Sequence, residues 1–196
     1  MSSTIKISKF ERTFSVPSAQ DMTWESLVAM LSVARRTPYR QQDGECWSPA
    51  TFNGAARTTA NVDTVSLLVL DVDAAANSRI VEMRAHLARY QHLIHASYAD
   101  RPDARHLRVV VRLSRAVSRN EWPQFWLAAV HQLQIPADLA CRDAARGYFL
   151  PSRPSDADYF VEVHDGEVLD VDATLASVPL PVDPVAPIAA HQGVIS

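Results

Sequence analysis

The sequence predicts an α+β domain built on a mixed or antiparallel sheet. Three observations carry this. The apolar periods run helix, strand, helix, strand, strand, helix, strand along the chain. Strict strand–helix–strand alternation is absent, and no Gly-rich turn follows the first strong strand as it would in a dinucleotide-binding unit. The 196 residues suffice for one domain, or one domain with an appendage. Hydrophobic content of 47% with 21% charged residues is that of an ordinary globular chain. A net charge of −3 excludes a global nucleic-acid footprint, so any polyanion site must be a local patch.

Residues 1–20 are polar and rich in Ser and Thr, and read as a strand-like arm or a loose end. Residues 22–36 read as an amphipathic helix, with Trp24, Leu27, Val28 and Leu31 at helical spacing and Thr23 as N-cap. Residues 39–60 are loop-like, with Gly44, Pro49 and Gly54. Residues 62–72 form an apolar strand, and residues 78–90 a helix with Ile80, Val81, Met83 and Leu87 apolar. Strands follow at 92–97 and 107–113. Residues 120–134 form a helix of bulky side chains, including Trp122, Phe125, Trp126 and Leu133. Short strands are expected at 147–151 and 159–163. The folded body thus spans 21–175, and 176–196 reads as a Pro-rich linker or disordered tail, as though the chain were cut from a longer protein.

Two cysteines, Cys46 and Cys141, lie far apart without a CxxC pattern and imply free thiols in a reducing compartment. With no apolar run near membrane length and no signal-peptide pattern, a cytoplasmic protein without a membrane segment is expected. Lysine occurs only at Lys6 and Lys9; every later cation is arginine, the better bidentate phosphate ligand.

Chemistry concentrates at the end of the first long strand, Leu67-Leu-Val-Leu-Asp71-Val-Asp73. Acids two apart on a strand share a face. Carboxylates held so close repel unless a divalent cation lies between them, which suits Mg²⁺ or Mn²⁺ held against a phosphate. On this reading, Asp71→Ala relieves repulsion and leaves the fold intact. A second segment, residues 104–113, lines up His106, Arg108 and Arg112 on one strand face. Placed beside the acidic strand, it would offer cations for phosphates. A third, residues 137–152, adds Asp138, Asp143 and Arg146.

Together the three segments resemble the archaeo-eukaryotic primase superfamily, which includes primase-polymerases and plasmid and phage primases. That family carries a D-x-D/E pair at a strand end, an S-x-H segment opening a strand, and a hydrophobic-Asp segment followed by a basic residue. Leu70-Asp71-Val72-Asp73 matches the first. Ala104-Arg105-His106 matches the second, with alanine where serine is usual, and Ala137-Asp138 with Arg146 matches the third. The resemblance covers residues 45–155 and implies an RRM-like sheet core with flanking helices, the primase catalytic domain.

It further implies that Asp71, Asp73 and Asp138 are catalytic and bind Mg²⁺ or Mn²⁺, with Asp143 the rival third ligand. His106 would contact the incoming nucleotide's phosphates, joined by Arg108 and Arg146. The activity implied is metal-dependent nucleotidyl transfer from NTP or dNTP on a single-stranded DNA template in plasmid or phage replication, with a replicative helicase fused or in trans. One alternative is a catalytically degenerate module that binds single-stranded DNA or docks a helicase, with Trp47, Phe52, Tyr98 and Tyr148 as stacking platforms. Another is a haloacid-dehalogenase-type phosphatase, which expects Thr or Val at Ala75 and a later lysine. A D-x-D sugar transferase has no sugar-nucleotide signal, and His92-Leu-Ile-His95 has the wrong spacing for a tyrosine-nucleophile initiator.

Pro179, Pro181, Pro184 and Pro187 fall within nine residues, too few ladder donors for a strand and too much proline for a helix. Truncation after Val178 is expected to leave the melting temperature unchanged; a large drop would show that the tail packs on the domain.

Overall fold

The structure, a computed structural model, describes residues 4–13, 15–38 and 44–177. The Pro-rich tail lies outside the described residues. The chain forms β1 (Ile5–Phe10), β2 (Ser18–Met22), α1 (Trp24–Leu31), β3 (Arg35–Arg36), β4 (Cys46–Ser48), β5 (Ala50–Phe52) and β6 (Val62–Ala75). It continues through α2 (Asn77–Leu87), β7 (His92–Ala96), β8 (Arg105–Ser118) and α3 (Trp122–Leu133). Last come β9 (Tyr148–Phe149), β10 (Ser152–Arg153), β11 (Val161–His164) and α4 (Val171–Ser177).

The central sheet has the order β11-β7-β8-β6-β5 and is antiparallel throughout. In β8, Val109, Val110 and Val111 are all fully buried, so both faces of this sheet are covered. That explains why β6 and β8 read as continuous apolar runs. The covering layers share one core: Ile80, Met83 and Leu87 of α2, Phe125, Trp126, Ala129 and Leu133 of α3, and Trp24, Leu27 and Leu31 of α1.

A second antiparallel sheet, β2-β1-β4-β9, draws in the N-terminal segment. Ile5 and Ile7 are buried on one face of β1 and Ser8 and Phe10 on the other, so β1 is a packed strand rather than a loose end. The segment read as a loop contains β4 and β5, whose Trp47 and Ala50 are fully buried. Their brevity hid them: three residues cannot display a period. The helix expected over 22–36 stops at Leu31, capped by Thr23, whose hydroxyl accepts from the Ser26 amide, and Arg35–Arg36 pairs instead with β10. The C-terminal region returns to the sheet. Leu169 donates to the Arg112 carbonyl, Ser114 donates to the Leu169 carbonyl, and α4 follows, held by Asp172 on Arg115. No helix among the described residues is long and apolar enough to cross a membrane.

Gly166 makes the turn into this return. A Cβ there would lie 2.6 Å from the Arg89 carbonyl oxygen and 2.8 Å from the Tyr90 carbonyl carbon. The same backbone stretch exchanges the Glu167–Arg89 and Gln91–Glu167 hydrogen bonds. Gly166→Ala is therefore expected to lower stability by about 1–3 kcal/mol, as overpacking does. An unchanged urea midpoint would show that this turn moves freely.

Candidate active site

The apolar run of β6 ends as the strand leaves the buried layer, and the acids stand at that edge. Asp71 is 9% exposed. Its carboxylate is met from two sides. Arg108, its cross-strand neighbour on β8, donates from Nε to Oδ1 at 2.7 Å and from a terminal nitrogen to Oδ2 at 3.4 Å. Arg146 donates to Oδ2 at 3.1 Å and shares the same nitrogen with Asp138 at 3.3 Å. Burial alone would push the Asp71 carboxyl up; the Arg108 and Arg146 guanidiniums more than offset it, leaving it below the usual carboxylate value.

Asp138 reaches this place through its backbone. Its amide donates to the Asp71 carbonyl at 2.8 Å, and its side chain caps the short 3-10 turn of Leu139–Arg142 through the Ala140 amide. Tyr148 on β9 forms the floor. Its ring lies 4.4 Å from the Arg108 guanidinium and 5.7 Å from that of Arg146, and its hydroxyl donates to the Val69 carbonyl. Beneath Asp71, its amide donates to the Cys141 sulfur at 3.2 Å. Burial raises the Cys141 thiol, which suits a packing role rather than a nucleophile.

One step along, the pairing of β6 with β8 shifts register between Val72 and Ala75. Such bulges re-aim side chains. Asp73 is exposed and bonds His106 Nδ1 at 3.0 Å. His106 is fixed through its amide by Asp100 Oδ1 at 2.8 Å, and Asp100 also pairs with Arg105 at 2.9 Å.

The fold thus gathers six of the residues expected from sequence: Asp71, Asp138, Arg108 and Arg146 in one network, and Asp73 with His106 as a separate pair beside it. Asp143 turns away, accepting from the Thr59 hydroxyl and the Ala145 amide. Arg112 bonds Gln91, consistent with its distance along the strand from His106. Two expected stacking platforms are corrected: Trp47 and Tyr148 are buried core residues, closed to a base. Asp100 and Cys141 were missed. Neither has a spacing signal, because each acts on a backbone amide that only the fold brings near.

The expected three-carboxylate clamp is not assembled. Among the described residues no three His, Cys, Asp or Glu side chains group so as to hold a metal ion. The physical reason is visible: guanidiniums stand where carboxylate repulsion would otherwise call for a cation. The donor chemistry itself fits one, since Asp71 and Asp138 offer hard oxygens around a single shared cation position now filled by Arg146.

The chain matches the VapE N-terminal domain family over residues 2–184. Its fold is similar to the solved AEP domain of the cyanophage S-2L primase-polymerase. That likeness has a TM-score of 0.51 at 10% identity and covers 89% of this chain and 90% of that one. No curated protein matches the sequence. The α+β architecture of antiparallel sheets with flanking helices is therefore that of an archaeo-eukaryotic primase-type domain.

The arginine pairing reverses the stability expected of an Asp71 substitution. Asp71→Ala leaves the poorly exposed Arg108 guanidinium without its counter-ion and Arg146 with Asp138 alone, and is expected to cost about 3–5 kcal/mol. Asp73→Ala removes one exposed partner and should cost less than about 1 kcal/mol. Because the folded Asp71 carboxyl is depressed, its contribution is present above the ordinary Asp value and is lost as the pH falls through that value toward the lowered one. Urea titrations at neutral and acid pH check both; an Asp71→Ala protein as stable as wild type would contradict the pairing.

Proposed function

We propose that this chain, which belongs to the VapE N-terminal domain family, is a primase-like nucleotidyl-transfer domain acting in mobile-element replication. The single observation that supports this most is the convergence of Asp71 and Asp138 on Arg146, beside the His106–Arg108 strand face. The reading matches the name of the phage primase-polymerase domain whose fold this chain shares.

In this proposal the incoming nucleoside triphosphate is drawn to Arg108 and Arg146. A guanidinium matches phosphate oxygens as readily as a carboxylate. Triphosphate binding thus competes with the Asp71 pairs and frees Asp71 and Asp138, which with Asp73 would hold Mg²⁺ or Mn²⁺. When bound, such a cation supplies charge neutralisation at the transferred phosphate. His106, oriented by Asp100 through its amide, contacts the phosphates, while Asp73 holds its ring. The 3′-hydroxyl of a primer on single-stranded DNA is the nucleophile at the α-phosphate. A replicative helicase, fused or in trans, is the partner this role calls for.

A second reading is favoured by one observation. Both oxygens of Asp71 are already engaged by arginine, and Ala104 stands where the family has serine. A module that had lost catalysis but kept binding to single-stranded DNA or a helicase would look like this.

The decisive measurement is metal-dependent primer synthesis on single-stranded DNA with labelled nucleotides. The wild type is expected to make product, and Asp138→Ala to lower the rate by roughly a thousandfold or more. Nucleotide affinity, measured by calorimetry with Mn²⁺ present, should fall by about 1.5–3 kcal/mol in His106→Ala and far less in Arg112→Ala. A folded wild type that binds nucleotide without making product would favour the second reading.

A further inference from the structure

One strand further from Asp71, on the other side of Arg108, lies a small cavity that the phosphate-binding proposal does not use. Its volume is 60 Å³, room for a few water-sized groups, and it is lined by His95, Tyr98, Arg108 and Ser152 among others. His95 on β7 is the cross-strand neighbour of Arg108 and is 1% exposed. Its Nδ1 lies 2.9 Å from the Ala96 carbonyl oxygen, which can only accept, so the proton sits on Nδ1. Nε2 therefore carries the lone pair and has no hydrogen-bond partner among the described residues. Burial, reinforced by the Arg108 charge, lowers the imidazole to about 3, so it is neutral at physiological pH.

A buried acceptor without a donor is costly, and native proteins keep few of them. His95 lines a cavity that the phosphate-seeking Arg108 also lines. A phosphate oxygen would meet a lone pair at Nε2 and be repelled. A hydroxyl or N–H would be received. The two neighbouring positions thus ask for a molecule bearing an anion and, about one strand spacing away, a neutral donor. A nucleotide has both in its phosphate and its sugar.

We propose that His95 Nε2 accepts a hydrogen bond from a sugar hydroxyl of the bound nucleotide, so that this cavity sets the domain's choice of sugar. The inference rests on the nucleotide-binding part of the function proposed above. Arg108 holds the phosphate edge and His95 reads the sugar edge, with Ser152 and Tyr98 lining the same cavity. The 2′-hydroxyl, present only in ribonucleotides, and the 3′-hydroxyl offer the same chemistry.

Calorimetry with GTP, dGTP and dideoxy-GTP, each with Mn²⁺, tests the proposal and separates the two hydroxyls. In the wild type, removal of the recognised hydroxyl is expected to weaken binding roughly tenfold, at the first step for the 2′ position and at the second for the 3′ position. His95→Phe keeps the ring and removes the acceptor, and should abolish the difference. Should that variant fold poorly, ¹⁵N-histidine spectra of the wild type serve instead: the His95 Nε2 resonance should shift with GTP and not with dideoxy-GTP. Equal affinity for all three nucleotides, or a discrimination that survives His95→Phe, would overturn the inference while leaving nucleotide binding intact. No affinity for any of them would overturn the nucleotide-binding reading itself, and this inference with it.

Discussion

The structure turns on one buried carboxylate. Asp71 sits where β6 emerges from a layer of fully buried valines and leucines, and a lone charge there would be strongly disfavoured. Two arginines from distant parts of the chain make it tolerable, one on the adjacent strand and one 75 residues along. Those arginines need support of their own. The Tyr148 ring lies under both guanidiniums, and Tyr148 is anchored by β9 and by the Val69 carbonyl. The small β2-β1-β4-β9 sheet is thus not an ornament on the central sheet; its β9 floors the ionic cluster.

The same arrangement gives the cluster its chemical character. Two carboxylates, Asp71 and Asp138, face two guanidiniums in electrical balance, so each charge is held by a partner that a ligand can replace. Phosphate oxygens compete for arginine, and a divalent cation competes for aspartate. A site of this kind would take both ligands together more readily than either alone. The neutral His95 beside it has a different task, because it offers a lone pair and no charge. The Arg108 guanidinium and the His95 imidazole stand on neighbouring strands as cross-strand partners.

Local patterns carried far in the sequence because they depend on near neighbours. The runs that became β6, β7 and β8, the bulky helix α3, and the D-x-D step at a strand end are all legible from spacing. The short strands β4 and β5 were not, since they are set by pairing partners elsewhere in the chain. The helix over 171–177 was also unread, since its stability comes from Asp172 on Arg115 and from Val171 and Thr174 packed inward.

The chain by itself determined which residue types could do the chemistry: paired acids at a strand end, a His/Arg strand face, and a later Asp with an arginine. That the basic strand lies beside the acids was decided by the pairing of β6 with β8. Only the tertiary structure decided how these charges resolve. Repulsion between Asp71 and Asp73 was the expectation from spacing. In the fold, a register shift in β6 sends Asp73 outward to His106, and a backbone hydrogen bond draws Asp138 and Arg146 in beside Asp71. Charge pairing across long sequence separations depends on the packing of layers and on the exact depth of each group. No local period encodes either quantity.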